Sequence, residues 1–195
     1  MASLKRICVY CASSSKVDAC YSEAAYALGA LLGKERIALI TGGGCQGLMR
    51  SIEDGALDKG GYAIGVIPRF MVEQGWHYTG LSELVVTESM HERKQIMAEM
   101  ADAVIALPGG CGTMEELCEI ITWKQLGLFY GPVIILNING YYNNLIAQLE
   151  QAVEEHFMGQ IHSNIWQVAT TPAEALQIAK ETPLWNCEVR KYAAL

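Results

Sequence analysis

The chain has 195 residues, so one domain spanning residues 1–195 is expected. Its residues are 51% hydrophobic and 18% charged, a balance that excludes intrinsic disorder and allows a sizeable core. With 14 Lys and Arg against 21 Asp and Glu, the net charge of −7 argues against nucleic acid or an anionic membrane as partner, so any anionic ligand must be held by a local cluster.

Ile7–Cys11 predicts a first strand, ended by Ala-Ser-Ser-Ser, and Tyr21–Leu32 has helical spacing. Ile37–Thr41 is a second strand, broken by Gly42-Gly43-Gly44, with a helix from about Gly47 to Lys59. Tyr62–Ile67 is a third strand, stopped by Pro68. Glu83–Thr87 and Ala103–Leu107 are further strands, separated by a helix from about His91 to Met100. A helix over Thr113–Leu126, a strand over Val133–Leu136 and an amphipathic helix over Asn144–Phe157 follow. A short strand (Trp166–Ala169) and a helix (Pro172–Lys180) close the chain.

Strands that are apolar throughout imply burial on both faces. With strand and helix alternating, the expected class is α/β: one doubly wound, mostly parallel sheet flanked by helices. Ligands of such sheets bind beyond the carboxyl ends of the strands, so function belongs in the strand-to-helix turns.

The opening residues, Met1-Ala2-Ser3-Leu4-Lys5-Arg6-Ile7, leave no room for a signal peptide, and no apolar run approaches the ~20 residues of a membrane span. Cysteines at 8, 11, 20, 45, 111, 118 and 187 read as reduced core residues of a cytoplasmic protein. Cys8-Val-Tyr-Cys11 is a C-x-x-C, but strand residues three apart face opposite ways and no second pair accompanies it. His77, His156 and His162 lack metal-ligand spacing, so no metal is expected.

Two turns are rich in glycine. Gly42, Gly44 and Gly47 satisfy G-x-G-x-x-G, but the strand after them ends Val66-Ile67-Pro68-Arg69, without the carboxylate that would hold an NAD ribose. Leu107-Pro108-Gly109-Gly110-Cys111-Gly112-Thr113 repeats the design after a later strand. Free amides at a helix start make an anion cradle, whereas a ligand-free tight turn is the bland alternative. Gly29–Gly33-Lys34 has the wrong spacing for a P-loop and lies within a helix. Ser13 and Ser14, after the first strand, either donate to a ligand or cap the next turn, and Arg50 adds charge near the first loop.

Ser89 and Glu92 fit a capping box at the helix carrying Arg93 and Lys94. Cations in a first turn oppose the helix dipole, a conflict that a bound phosphate removes; a solvated surface pair is the alternative. Thr113 and Glu116 also fit a capping box. A carboxylate beside a phosphate cradle otherwise calls for a cationic centre, such as the oxocarbenium-like sugar of glycosidic bond cleavage. Glu119 reads as a helix-face residue, His91 as a partly exposed polar residue, and the four tryptophans as buried.

Pro108-Gly109-Gly110-Cys111-Gly112-Thr113-Met114-Glu115-Glu116 resembles the P-G-G-x-G-T-x-x-E signature of the LONELY GUY (LOG) family. Met90-His91-Glu92-Arg93-Lys94 is similar to its second hallmark, and the Gly42–Met49, Gly65–Pro68 and Ile121–Gly127 segments are similar to further blocks. The resemblance implies a Rossmann-like phosphoribohydrolase that releases the base, an N6-substituted adenine in cytokinin metabolism, from a nucleoside 5′-monophosphate, without metal or cofactor. It implies Glu116 and Arg93 as the catalytic pair. Gly109, Gly110, Gly112 and Thr113 would bind the phosphate, and Lys94 and Met90 would line the pocket, alongside Gly43, Gly44 and Ser14. A homodimer is also implied. Ala12 stands where a glycine is expected and Arg50 where a small residue is, which leaves the preferred base open. The alternatives are a non-catalytic nucleotide or pterin-phosphate carrier, favoured less because an anion carrier gains nothing from a carboxylate in its cradle, and an NAD-dependent oxidoreductase.

Overall fold

The computed structural model describes residues 4–185. Its elements run β1 (Arg6–Tyr10), α1 (Ala19–Lys34), β2 (Ala38–Thr41), α2 (Gly47–Asp58), β3 (Ala63–Pro68), α3 (Arg69–Glu73) and β4 (Glu83–Thr87). They continue with α4 (Met90–Met100), β5 (Ala103–Ala106), α5 (Cys111–Gln125), β6 (Val133–Leu136), α6 (Asn143–Glu154), β7 (Trp166–Ala169) and α7 (Pro172–Glu181).

The seven strands form one sheet in the order β4-β3-β2-β1-β5-β6-β7, with every pair parallel. This is a Rossmann-like α/β fold. Ile7 pairs with Leu39 on one side, next to the Ile7–Ala103 pair on the other, so β1 is central and the strand order reverses beside it.

Alternation along β1 divides the core. Ile7, Val9 and Cys11 pack with Leu28 and Leu32 of α1, Ile52 of α2 and Leu176 of α7. Cys8 and Tyr10 face the other layer, with Met97 of α4, Leu117 and Ile120 of α5, and Val153 of α6. Each large aliphatic side chain buried this way contributes about 1.5–3 kcal/mol. The α1–α2 pair packs backbone against backbone: a Cβ at Gly29 would lie 2.0 Å from the Ile52 carbonyl oxygen, which gives this glycine its purpose within a helix.

Several expectations from sequence need correction. Pro68 is the last residue of β3 rather than its stop, because the strand continues pairing with Thr87 through position 68. A short helix, α3, follows it and had no signal in the pattern. Helix α5 begins at Cys111, with Gly110 as its N-cap, so Thr113 is inside the helix and not its cap. Helix α6 ends at Glu154 rather than Phe157, because His156 takes a left-handed φ of 64°. Cys8 and Cys11 are buried thiols on opposite faces, but Cys111 and Cys118 are exposed. Cys187 lies outside the described residues. No helix among the described residues is long and apolar enough to cross a membrane.

Candidate active site

A cavity of about 550 Å³ opens at the carboxyl ends of the central strands, where the strand order reverses. That volume falls in the usual range of small-molecule sites, about 300–1,000 Å³. Cys11 to Ser14 after β1, Gly42, Gly44, Cys45 and Gln46 after β2, and Gly110, Gly112, Thr113, Glu115 and Glu116 at the start of α5 supply much of its wall. Arg93 of α4 also lines it, and Met49, Ile67, Met71, Trp76 and Met90 form an apolar side.

The two glycine loops differ in what they can bind. At the start of α2, the amides of Leu48 and Met49 both donate to the Ala12 carbonyl, at 3.0 and 3.3 Å. The protein thus caps that helix itself. At the start of α5 no side chain caps Gly110, and the first-turn amides of Cys111, Gly112 and Thr113 point beyond the helix. The second loop therefore leaves helix-start amides that an anion could accept from. Gly110, Gly112 and Thr113 line the cavity, whereas Gly109 lies behind it, with its missing Cβ 2.1 Å from Thr113 Oγ1.

Neighbouring elements bond to this loop at three carbonyls. The Ala12 amide donates to the Pro108 carbonyl at 3.2 Å. Tyr141 Oη donates to the Gly109 carbonyl at 2.6 Å, and the buried Tyr142 Oη to the Leu107 carbonyl at 2.7 Å. Sequence reasoning missed both tyrosines. They lie 32 and 35 residues along the chain from their partners, and no spacing rule links them to the loop.

Glu116 sits one turn into α5, 8% exposed, facing the cavity. Burial pushes its carboxyl up to about 7, with Arg93 pulling it down and Glu115 adding to the rise. The capping-box reading of Thr113 and Glu116 thus fails: both side chains are buried at the site.

Arg93 is 6% exposed. Its Nε donates to the Val66 carbonyl at 2.9 Å, and Nη1 lies 3.8 Å from Met90 Sδ. Nη2 abuts Gly42, where a Cβ would come within 1.8 Å. Among the described residues no carboxylate forms an ion pair with it. A buried, unpaired guanidinium facing a cavity is costly unless an anion or dipole completes it.

Ser89 caps α4 as expected, accepting from the Glu92 amide at 3.1 Å, but the Glu92 carboxylate accepts from the Glu88 amide and not from Ser89. Lys94 points away from the cavity wall, and its Nζ donates to Glu115 at 2.5 Å and Glu119 at 3.0 Å. It ties α4 to α5. Gly44, Met90 and Ser14 do line the cavity, while Gly43 packs against Gly65 beneath the first loop. Arg50 is absent from the site: it pairs with Asp54 at 2.7 Å and stacks 3.7 Å over the Tyr78 ring. Trp76 departs from the buried expectation, being 53% exposed at the cavity.

Among the described residues no cluster of three or more His, Cys, Asp or Glu side chains is placed to hold a metal.

A family model described as "Possible lysine decarboxylase" matches residues 49–179. The chain is 41% identical over 173 residues to the Arabidopsis thaliana cytokinin riboside 5′-monophosphate phosphoribohydrolase LOG5, covering 89% of this chain and 76% of that one. To LOG7 of the same plant it is 42% identical over 177 residues, covering 91% and 82%. Among solved structures, the molybdenum cofactor binding protein from Rippkaea orientalis superposes with a TM-score of 0.70 at 24% identity, covering 92% of this chain and 98% of that one. That likeness concerns the fold. With identity above 40% across about nine-tenths of its length to these proteins, the chain belongs to the LOG family of cytokinin riboside 5′-monophosphate phosphoribohydrolases.

Proposed function

We propose that this protein hydrolyses the N-glycosidic bond of adenosine 5′-monophosphate or an N6-substituted form of it, giving free base and ribose 5-phosphate. The observation that carries this reading is that one cavity holds the buried Glu116 carboxyl and the Arg93 guanidinium, which forms no ion pair among the described residues, beside the open start of α5. A carrier of anions gains nothing from Glu116, whereas a glycosidase uses it.

In this mechanism the 5′-phosphate sits on the α5 amides, with Thr113 beside it, and Arg93 adds the fixed positive charge. As the C1′–N bond lengthens, positive charge develops on the ribose, and the Glu116 carboxylate stabilises it. Glu116 also orients the attacking water and accepts its proton while the oxygen bonds to C1′. The electron pair of the broken bond leaves with the base, which takes up a proton from solvent, and Glu116 returns its proton to solvent to regenerate the carboxylate. A carboxyl near 7 suits this task, since an effective base has a pKa close to the working pH. The apolar side of the cavity, from Met49 to Met90, suits the purine and an apolar N6 substituent.

Base release from AMP and from isopentenyladenosine 5′-monophosphate, followed by chromatography, tests the reading. Free base is expected from the wild type and none from Glu116→Gln. Nucleotide binding without release by the wild type would favour the carrier instead.

A cytoplasmic homodimer completes the proposal. The exposed apolar side chains of Trp76 and Met90 at the cavity, with those of Phe70 on α3 and Val86 on β4, support a partner copy on that side. Sedimentation equilibrium at micromolar concentration checks it; a monomer there would overturn it.

A further inference from the structure

Glu53 lies on α2 with no exposed surface, and the catalytic scheme makes no use of it. Its Oε1 meets the buried Thr41 hydroxyl at 2.5 Å, at the very end of β2. The same hydroxyl accepts the Gly43 amide at 3.0 Å. Glu53 Oε2 has no hydrogen-bond partner among the described residues. The other buried positions of α2 (Leu48, Ile52, Gly55 and Ala56) are apolar or small, so packing alone does not call for a carboxyl here. What the carboxyl reaches is the first glycine loop. One residue before Gly43, Gly42 makes room for Arg93 Nη2; one residue after it, Gly44 lines the cavity.

We propose that Glu53 is a positioning residue for the hydrolysis: through Thr41 it holds the Gly42–Gly44 turn in the shape that seats Arg93 and walls the cavity. This rests on the functional reading above, but the positioning itself is a property of the nucleotide-free protein. Burial pushes the Glu53 carboxyl up to about 8, opposed by the Thr41 hydrogen bond, so the neutral acid is the form present at pH 7. The titratable groups that face it are Asp54 and Arg50 on its own helix, Cys11 after β1, and Tyr78 on the segment after α3. Ionisation strengthens the Thr41 bond but leaves a charge without solvent, so the pocket opens to water and the loop above it loosens.

The experiment compares Glu53→Gln, which keeps a neutral hydrogen-bonding group, with Glu53→Met, which keeps volume alone. Hydrogen exchange over residues 42–45 is measured without nucleotide, and KM and kcat for AMP between pH 6 and 9. Wild-type KM is expected to rise above pH 8, and Glu53→Gln is expected to match wild-type exchange and to lack that rise. Glu53→Met is expected to exchange faster at the loop and to raise KM roughly tenfold, with kcat changed less. A merely structural role would lower the melting temperature without moving the KM-to-kcat split or the pH profile. Wild-type exchange at the loop in Glu53→Met overturns the proposal, as does an identical KM profile in wild type and Glu53→Gln. If Glu53→Met fails to fold, the Glu53→Gln profile decides. Altered loop exchange together with no hydrolysis by the wild type would uphold the positioning and refute the functional reading instead.

Discussion

A Cβ at position 42 would lie 1.8 Å from Nη2 of Arg93, so the first glycine loop and α4 share one space. Gly42→Ala must therefore displace the guanidinium, whose Nε remains tied to the Val66 carbonyl. A shift of about 1 Å in a positioning group costs on the order of 10²-fold in rate. That loss is expected in kcat/KM, with a circular dichroism spectrum like the wild type. Unchanged kcat/KM would mean that Arg93 tolerates displacement.

Glu116→Gln keeps the shape of the side chain and removes its charge. Turnover should fall by roughly 10²–10⁴-fold, the usual weight of a general base, while calorimetry still detects AMP binding. In the wild type, kcat/KM should rise with pH and level off above about 7, because the carboxyl acts in its ionised form. A flat profile across pH 6 to 8 in the wild type would remove Glu116 from the role of base.

Lys94 lowers the pKa of Glu116, and its partners Glu115 and Glu119 raise it. Lys94→Met deletes the cation and leaves both carboxylates without it. The limb of the kcat/KM profile should move to higher pH, with a lower melting temperature from the lost tie between α4 and α5. Should KM rise with the limb in place, Lys94 would be a substrate contact after all.

Tyr141→Phe removes the hydroxyl that holds the Gly109 carbonyl. A hydrogen bond of this kind contributes about 1 kcal/mol, so KM for AMP should rise about fivefold as the phosphate loop loosens. Steady-state kinetics with AMP measures it. An unchanged KM would show that the Ala12–Pro108 and Tyr142–Leu107 contacts suffice.

Glu53 also predicts a pH-dependent stability. Its folded pKa of about 8 lies above the ordinary 4.5, so the folded protein holds the proton more tightly. Its contribution is full below the ordinary value and is lost as pH rises towards 8. Across that window the loss is at most about 1.4 kcal/mol for each pH unit. Urea melts at pH 5 and pH 8 should show the wild type losing more stability than Glu53→Gln. Parallel losses would mean that Glu53 is ionised throughout.

Element type was legible wherever period and punctuation agreed. The continuous apolar runs of β1, β2, β5 and β6 read as strands buried on both faces, and each is buried apart from its first residue or not at all exposed. Helix α3 was not legible, because five residues between Pro68 and Gln74 carry too short a pattern. The boundary of α5 was misplaced because Thr113 and Glu116 satisfy a cap by type, whereas Gly110 caps by conformation, with a φ of −83° and a ψ of −160°.

From the sequence by itself came the α/β class, the two glycine turns and the charged pairs at two helix starts, among which the family resemblance singled out Arg93 and Glu116. Those follow from local rules: the periods of strand and helix, the backbone freedom of glycine, and charges set at helix starts. The tertiary structure decided which loop can bind an anion, because the Ala12 carbonyl that closes the α2 amides arrives from another strand. It decided that Arg93 faces the cavity without an ion pair among the described residues while the adjacent Lys94 is paired, since successive residues of a helix project about 100° apart. It also made Glu53 part of the site's support. Burial, which sets the pKa of Glu53 and Glu116 alike, is a property of everything packed around a residue, and no local pattern encodes it.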